Sequence, residues 1–367
     1  MHRIRVAAAL AAVALLAGCA QTHKAPEPGE TTEETIESSP EVEPDKTVTI
    51  RSIGDILVHS DVYTTANAAA NYEGYDFSAM FDPMRQYLED ADITTANMEV
   101  PVAGPEFGLS GYPQFNAPPE VIDGLLDAGV DVVNNATNHT MDRGQEGVEA
   151  STSNMRERGM MYVGGYGSPE DKATPRIIER NGLKLGFLAY TYGTNGLPVP
   201  EDHLVSLIDY EAMAREISEL DKQVDVVVTM IHMGEEYEPL PVDFQRETAQ
   251  IAIDNGADLI LGGHPHVVEP FEVFDDHAIW WSHGNFLHGQ YEENTKVGGV
   301  GEFTITKRGD GTLHFDRVRY MPTYMIGPPF TYDHKVVPLV QAQDYLDVAA
   351  WQQELNSRMN VEVVDYL

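Results

Sequence analysis

Leu259-Ile-Leu-Gly-Gly-His-Pro-His-Val-Val268 decides how the rest of this chain reads. A short apolar run bounded by glycine predicts a buried strand that ends in a tight loop. His264 and His266 then stand just past the strand's C-terminal end, where open α/β sheets gather their ligands. The glycines let backbone pass close to whatever the imidazoles hold. Two histidines at such a point suggest a metal. The same spacing also arises when residues i and i+2 share one face of an edge strand, and the chain has 13 histidines. The pair therefore needs support from other strand ends.

That support is there. Residues 47–53 alternate and are β-branched, a strand that ends at Gly54-Asp55, with His59 shortly after. Residues 92–96 predict a second strand, and alternation puts Asn97 and Glu99 on one side. Residues 131–134 predict a third, running into Asn138-His139 and Asp142. Residues 224–231 are nearly all apolar, as in a sheet covered on both faces, and end at His232, Glu235 and Tyr237. His283 and Asn285 follow a further predicted strand over 277–282. Aspartate is also an ordinary turn former and helix cap, which accounts for Asp55 or Asp142 taken singly but not for the set. Helical patterns separate the strands. Met80, Met84, Tyr87 and Leu88 predict a helix starting at Asp82-Pro83. Phe244, Thr248 and Ile251 predict another, and Asn181-Gly182 predicts a hairpin. Alternating strands and helices predict an α/β fold with a largely parallel sheet, which brings these strand ends to one edge. Mixed imidazole and carboxylate ligands suit Mn, Zn or Fe. A carboxylate shared by two ions would hold them roughly 3.5–4 Å apart.

Charge narrows the partners. With 59 acidic against 23 basic residues the formal charge is -36, so a nucleic-acid partner is excluded for want of a basic face. Residues 1–18 carry Arg3 and Arg5 ahead of an apolar run, a secretory signal. Leu16-Ala17-Gly18-Cys19 resembles a bacterial lipobox and uses the chain's only cysteine. The resemblance implies cleavage before Cys19 and its lipidation. The protein is then expected outside the cytoplasm, held to the cell membrane as a lipoprotein. Residues 19–46 are acidic and proline-rich and predict a disordered tether. Residues 47–325 are expected to form the domain, and 326–367 a C-terminal extension packing on it.

Taken in order, Gly54-Asp55, Asn97-Met-Glu99, Asn138-His139 with Asp142, His232-Met-Gly-Glu235-x-Tyr237, Gly263-His264-Pro-His266 and Gly284-Asn285-Phe286 resemble the CapA/PgsA family of capsule and poly-γ-glutamate biosynthesis proteins. That family lies within the metallophosphatase superfamily. The resemblance implies a four-layer α/β/β/α sandwich and a site holding one or two divalent ions. It implies that Asp55 and His266 bind one ion, that Asn138, His232 and His264 bind the other, and that Glu99 bridges them. His139 would serve as proton donor or charge stabiliser, with Asp142 beside it. The superfamily's first motif is Asp-x-His, whereas Ile56 and Leu57 follow Asp55 here. His59 either substitutes or only lines the site, and Asn97-Met-Glu99 replaces Gly-Asp, so a single ion is an open alternative. Glu235 and Tyr237 are candidates for metal or substrate binding or for orienting His232, and Asn97 and Asn285 for binding metal or substrate. His283 and His288 either extend the polar site or are surface histidines. The implied role is in capsule or poly-γ-glutamate synthesis or export, with an anionic polymer or phosphoester as substrate and a synthase or export complex as partner. The alternatives are a phosphoester hydrolase acting on envelope substrates and a non-catalytic scaffold.

Overall fold

The computed structural model describes residues 43–327 and 333–367. The signal segment, Cys19 and nearly all of the expected tether lie outside the described residues. The rest forms two sheets. The first runs β14 (Lys335–Pro338), β13 (Leu313–Ile326), β12 (Val297–Lys307), β1 (Lys46–Leu57), β2 (Ile93–Met98), β3 (Val132–Asn134), β4 (Met161–Val163), with β11 (Asn285–His288) beside β1 and β15 (Glu362–Val363) beside β13. The second runs β5 (Arg176–Arg180), β6 (Leu183–Thr191), β7 (Val226–His232), β8 (Leu259–Gly263), β10 (Ala278–Trp280), β9 (Phe271–Val273).

Side-chain period makes the layers. In β7, Val226, Val228 and Met230 enter a core shared with Ile50, Val132 and Phe303 of the first sheet. Val227 and Ile231, one residue out of phase, pack instead on Met213, Ile217, Ala249 and Ala252 of the helices Tyr210–Asp221 and Asp243–Asp254. The outer face of the first sheet buries Ala96 and Val133 against Phe81, Val121, Leu125 and Met155. Three cores between four layers give the α/β/β/α sandwich that the family resemblance implies. Each fully buried Phe- or Ile-sized side chain contributes roughly 1.5–3 kcal/mol.

The sheets are mixed rather than largely parallel. β1 to β4 and β6, β7, β8 and β10 are parallel, but β12, β13 and β14 add antiparallel, as do the edges β5 and β9. The predicted helix start at Asp82-Pro83 is a break between two single turns, Ser78–Phe81 and Arg85–Leu88, because proline offers no N–H to carry the helical ladder across. The helix Asp243–Asp254 buries Gln245, Thr248, Ala249 and Ala252 and leaves Phe244 39% exposed. Gln245 is held inside by bonds to the Val242 N–H (2.9 Å) and Glu269 (2.7 Å).

The N-terminal ends of the parallel strands share one device. Asp92, Asp131, Asp225 and Asp258 each donate a backbone N–H to the neighbouring strand, at Thr49, Thr94, Lys184 and Val227. Each carboxylate then accepts the N–H of that same neighbour, at 2.7–2.8 Å. A donor near the start of the neighbouring strand is thereby satisfied by a carboxylate instead of a further rung of the ladder.

Candidate metal centre

Register places the strand ends side by side. Asn285, Asp55, Asn97 and Asn134 stand in one row across β11, β1, β2 and β3. Thr191, His232 and Gly263 stand in another across β6, β7 and β8. A ladder irregularity at Asp55, whose N–H donates to Gly284 O (3.0 Å), turns its carboxylate into the space between the sheets. Gly263 has to be small, since a Cβ there would lie 2.9 Å from Asp55 Oδ1 and 3.0 Å from Asn97 Nδ2.

Asp55, Glu99 and His266 offer ligand atoms within 4.8 Å of one another, and all three are buried. Glu99 Oε1 lies 3.8 Å from both His232 Nε2 and His266 Nε2. Asp55 Oδ2, both Glu99 oxygens and His264 Nδ1 are buried and have no hydrogen-bond partner. Such atoms are costly unless a ligand completes them, and a set of hard oxygens and imidazoles fits a divalent cation.

The surrounding bonds orient the imidazoles. Asn97 Nδ2 donates to Asp55 Oδ1 (2.7 Å) and to His232 Nδ1 (3.0 Å), while its Oδ1 accepts from Asn134 (2.6 Å). His232 Nε2 donates to Asn138 Oδ1 at 2.9 Å. His266 Nδ1 donates to Asn285 Oδ1 (3.0 Å), turning Nε2 toward Glu99. His264 and His266 sit at φ +103° and +60°, backbone strain of the kind that collects at functional sites.

Electrostatics separate the groups. Burial drives His232 well below the usual imidazole range and His264 to about 3, with neighbouring imidazoles adding to both. Burial would lower His266 too, but Glu99 and Asp55 together outweigh it and hold His266 at about 9. Burial, and then Asp55, raise Glu99 well above the carboxylate range against the pull of His266.

His139 Nδ1 donates to Asp142 Oδ2 (2.7 Å), which also accepts the Phe115 N–H at 2.7 Å. The long loop between β2 and the helix Glu120–Asp127 thus reaches the centre through Phe115, edge-on to both His139 (4.7 Å) and His59 (5.0 Å). His59 Nδ1 donates to Leu57 O at 2.9 Å. Tyr237 stands at the rim with its ring 6.0 Å from that of His266, and Glu235 is exposed beside it. His283 turns the other way: Thr95, Ser52, His283 and Gly262 O form a buried donor chain beneath Trp280. The surface alternative for His283 and His288 does not hold, because both are 1% exposed. Sequence reasoning misses Tyr192, yet its ring lies 4.6 Å from His264 and burial raises it to about 12. It directly follows the C-terminal end of β6, at the edge of the sheet from which the candidate ligands are read.

Residues 49–290 match the family model for the bacterial capsule synthesis protein PGA_cap. The chain belongs to this family. Among curated relatives it is 32% identical over 245 residues to the PGA biosynthesis protein CapA of Bacillus subtilis (strain 168), covering 63% of each chain. It is 26% identical over 278 residues to the capsule biosynthesis protein CapA of Bacillus anthracis, covering 72% of this chain and 66% of that protein. The match thus spans just under two thirds of these relatives' length. Among solved structures it is similar to the NAD nucleotidase of Haemophilus influenzae (TM-score 0.47, 12% identity, 88% of this chain and 65% of that one). It is also similar to a 5'-nucleotidase precursor of Thermus thermophilus (TM-score 0.42, 14% identity, 85% of this chain and 59% of that one). The capsule-family match takes in every strand end of the centre and stops before β12.

Proposed function

We propose that this capsule-family protein is a lipid-anchored, extracytoplasmic protein of poly-γ-glutamate or capsule synthesis or export that binds a divalent cation at Asp55, Glu99 and His266. The reading is carried by the convergence of unpartnered, buried Asp55 and Glu99 oxygens beside an imidazole whose Nδ1 is already committed. His232 and His264 stand close enough to complete the shell or to hold a second ion. The ion would supply Lewis acidity toward a phosphoester oxygen and lower the pKa of a water. The chain's own part is positional. Asn97 and Asn285 fix Asp55 and His266. Asp142 holds His139 by Nδ1, which leaves Nε2 to give a proton to a leaving oxygen. The anchor is argued from the Cys19 motif, and no helix among the described residues is long and apolar enough to cross a membrane.

The test is elemental analysis of the purified protein, followed by phosphomonoesterase and phosphodiesterase assays against His266→Ala. The expected result is bound Mn, Zn or Fe in the wild type and its loss in the variant. Wild-type protein that takes up no divalent metal from any of the three overturns the reading. Metal without turnover leaves the metal site standing and favours the scaffold role. Cys19→Ala should move the protein from the membrane to the soluble fraction.

A further inference from the structure

A groove of about 440 Å³ opens beside the centre, and the proposed reaction does not use it. Its floor is Val267 and Val268, the residues directly after His266. Tyr237 forms one wall. Its N–H donates to Pro265 O (2.8 Å) and Gln290 donates to its hydroxyl (3.5 Å), and the ring stands between groove and centre. The other wall is the C-terminal helix Val348–Arg358, from which Trp351 faces in. The Trp351 indole N–H donates to Glu293 (3.2 Å), so its polar edge is engaged while the residue lines the groove. That helix lies outside the part of the chain matched by the capsule family.

Charge selects the occupant. Among the described residues Arg358 is the one cation lining the groove, and its guanidinium is spent on Glu354 (2.7 Å) and on the carbonyls of Val268 and Pro239. Glu354 lines the groove, exposed Glu292 and Glu293 come just before its lining residue Asn294, and exposed Glu235 and Glu236 come just before Tyr237. A chain of carboxylates brought here would meet like charge, with the Arg358 guanidinium already engaged, which costs affinity. Two aromatic faces over an apolar floor suit instead a ring that is apolar on its faces and polar at its edge. Carboxylates beside the lining residues would then accept from hydroxyls.

We propose that this groove is a subsite for a neutral hexopyranose unit, belonging to the molecule whose reacting bond lies over the metal centre. The inference rests on the reading of that centre only for its place in the reaction. Binding can be followed with the metal stripped, so the two readings fail separately.

Trp351 reports the event. The other two tryptophans, Trp280 and Trp281, are 0% and 2% exposed. The probes are the neutral tetrasaccharides cellotetraose, chitotetraose and maltotetraose, with tetraglutamate as the anionic competitor. They are titrated by calorimetry and tryptophan fluorescence into the full protein, with and without EDTA. At least one tetrasaccharide is expected to bind and shift the emission. Trp351→Phe should silence that shift while keeping the heat of binding, because an aromatic face remains. Tyr237→Ala should weaken binding about tenfold or more. Tyr237 is 46% exposed, so this variant tests the wall without disturbing the core. The proposal is overturned if no tetrasaccharide binds, if Tyr237→Ala and Trp351→Phe bind and signal as the wild type does, or if tetraglutamate gives the Trp351 signal in their place. Absence of metal in elemental analysis would sink the centre and leave the groove result standing.

Discussion

Asp131, just before β3, and Glu99, just after β2, are carboxylates at opposite ends of the same sheet. The Asp131 carboxylate accepts the Thr94 N–H at 2.8 Å and closes the start of the ladder. Both Glu99 oxygens are buried with no hydrogen-bond donor, their nearest cationic neighbour being the His266 ring at 3.8 Å. Asp92, Asp225 and Asp258 repeat the first arrangement in both sheets, and Asp55 Oδ2 repeats the second. One end of the strands therefore spends its acids on folding. The other holds acids that folding alone would be better without, which is the expected signature of a site built for a ligand.

Glu99→Gln is the strongest test of that contrast. It should abolish stoichiometric metal in elemental analysis. In EDTA it should melt at or above the wild-type temperature. The sign follows from the raised pKa of Glu99. A carboxyl whose folded pKa lies above its unfolded value makes the folded state less stable as pH rises past about 4.3, and glutamine removes that loss. A fall of several degrees in EDTA would show Glu99 to be a structural acid after all.

Gly263→Ala should come next in size. Its methyl would press on Asp55 Oδ1 and Asn97 Nδ2, both about 3 Å away. Displacing a ligand and the amide that fixes it should weaken metal binding by roughly 10–100-fold, the range for losing an orienting group, with most of the melting temperature retained. Unchanged affinity in a metal titration would mean that the close approach is packing alone. Asp131→Ala is the converse. It should leave metal content intact and lower stability by about 1–2 kcal/mol, the cost of an unmet backbone donor, read from denaturant unfolding.

The two ends also differ in what the sequence discloses. Candidate ligand positions are legible because a histidine or carboxylate directly after an apolar run stands out, as at His232 and His264. The hairpin at Asn181-Gly182 is legible for a similar local reason, with both residues at positive φ. What stays hidden is non-local. β11 forms only by lying alongside β1, so nothing within residues 285–288 shows that Asn285 will face His266. The helix Ser60–Ala69 carries a weak apolar stripe and gives no clear signal. Tyr192 lies in a glycine-rich loop that reads as connection rather than site. The structural aspartates are equally invisible, since each is defined by a backbone N–H on another strand.

The finest test concerns Asp258, a carboxylate of the folding end whose environment leans toward that of the centre. Burial raises it to about 7, although the Val227 N–H works against the shift. The sign is again that of a raised acid. Between its unfolded value of about 3.9 and its folded value near 7, the folded state keeps a proton that the unfolded state has lost. Stability falls across that window and levels off above it. Asp258→Asn keeps an oxygen for the Val227 N–H and loses the titration. Its urea midpoint should therefore track the wild type below about pH 4 and pull ahead between about pH 5 and 8, with metal content unchanged throughout. If the two curves stay parallel across that range, Asp258 is ionised at no cost in the folded state. Its N–H bond would then be worth as much as that of any solvated cap, and the division between the two ends of the strands would be sharper than the burial of Asp258 suggests.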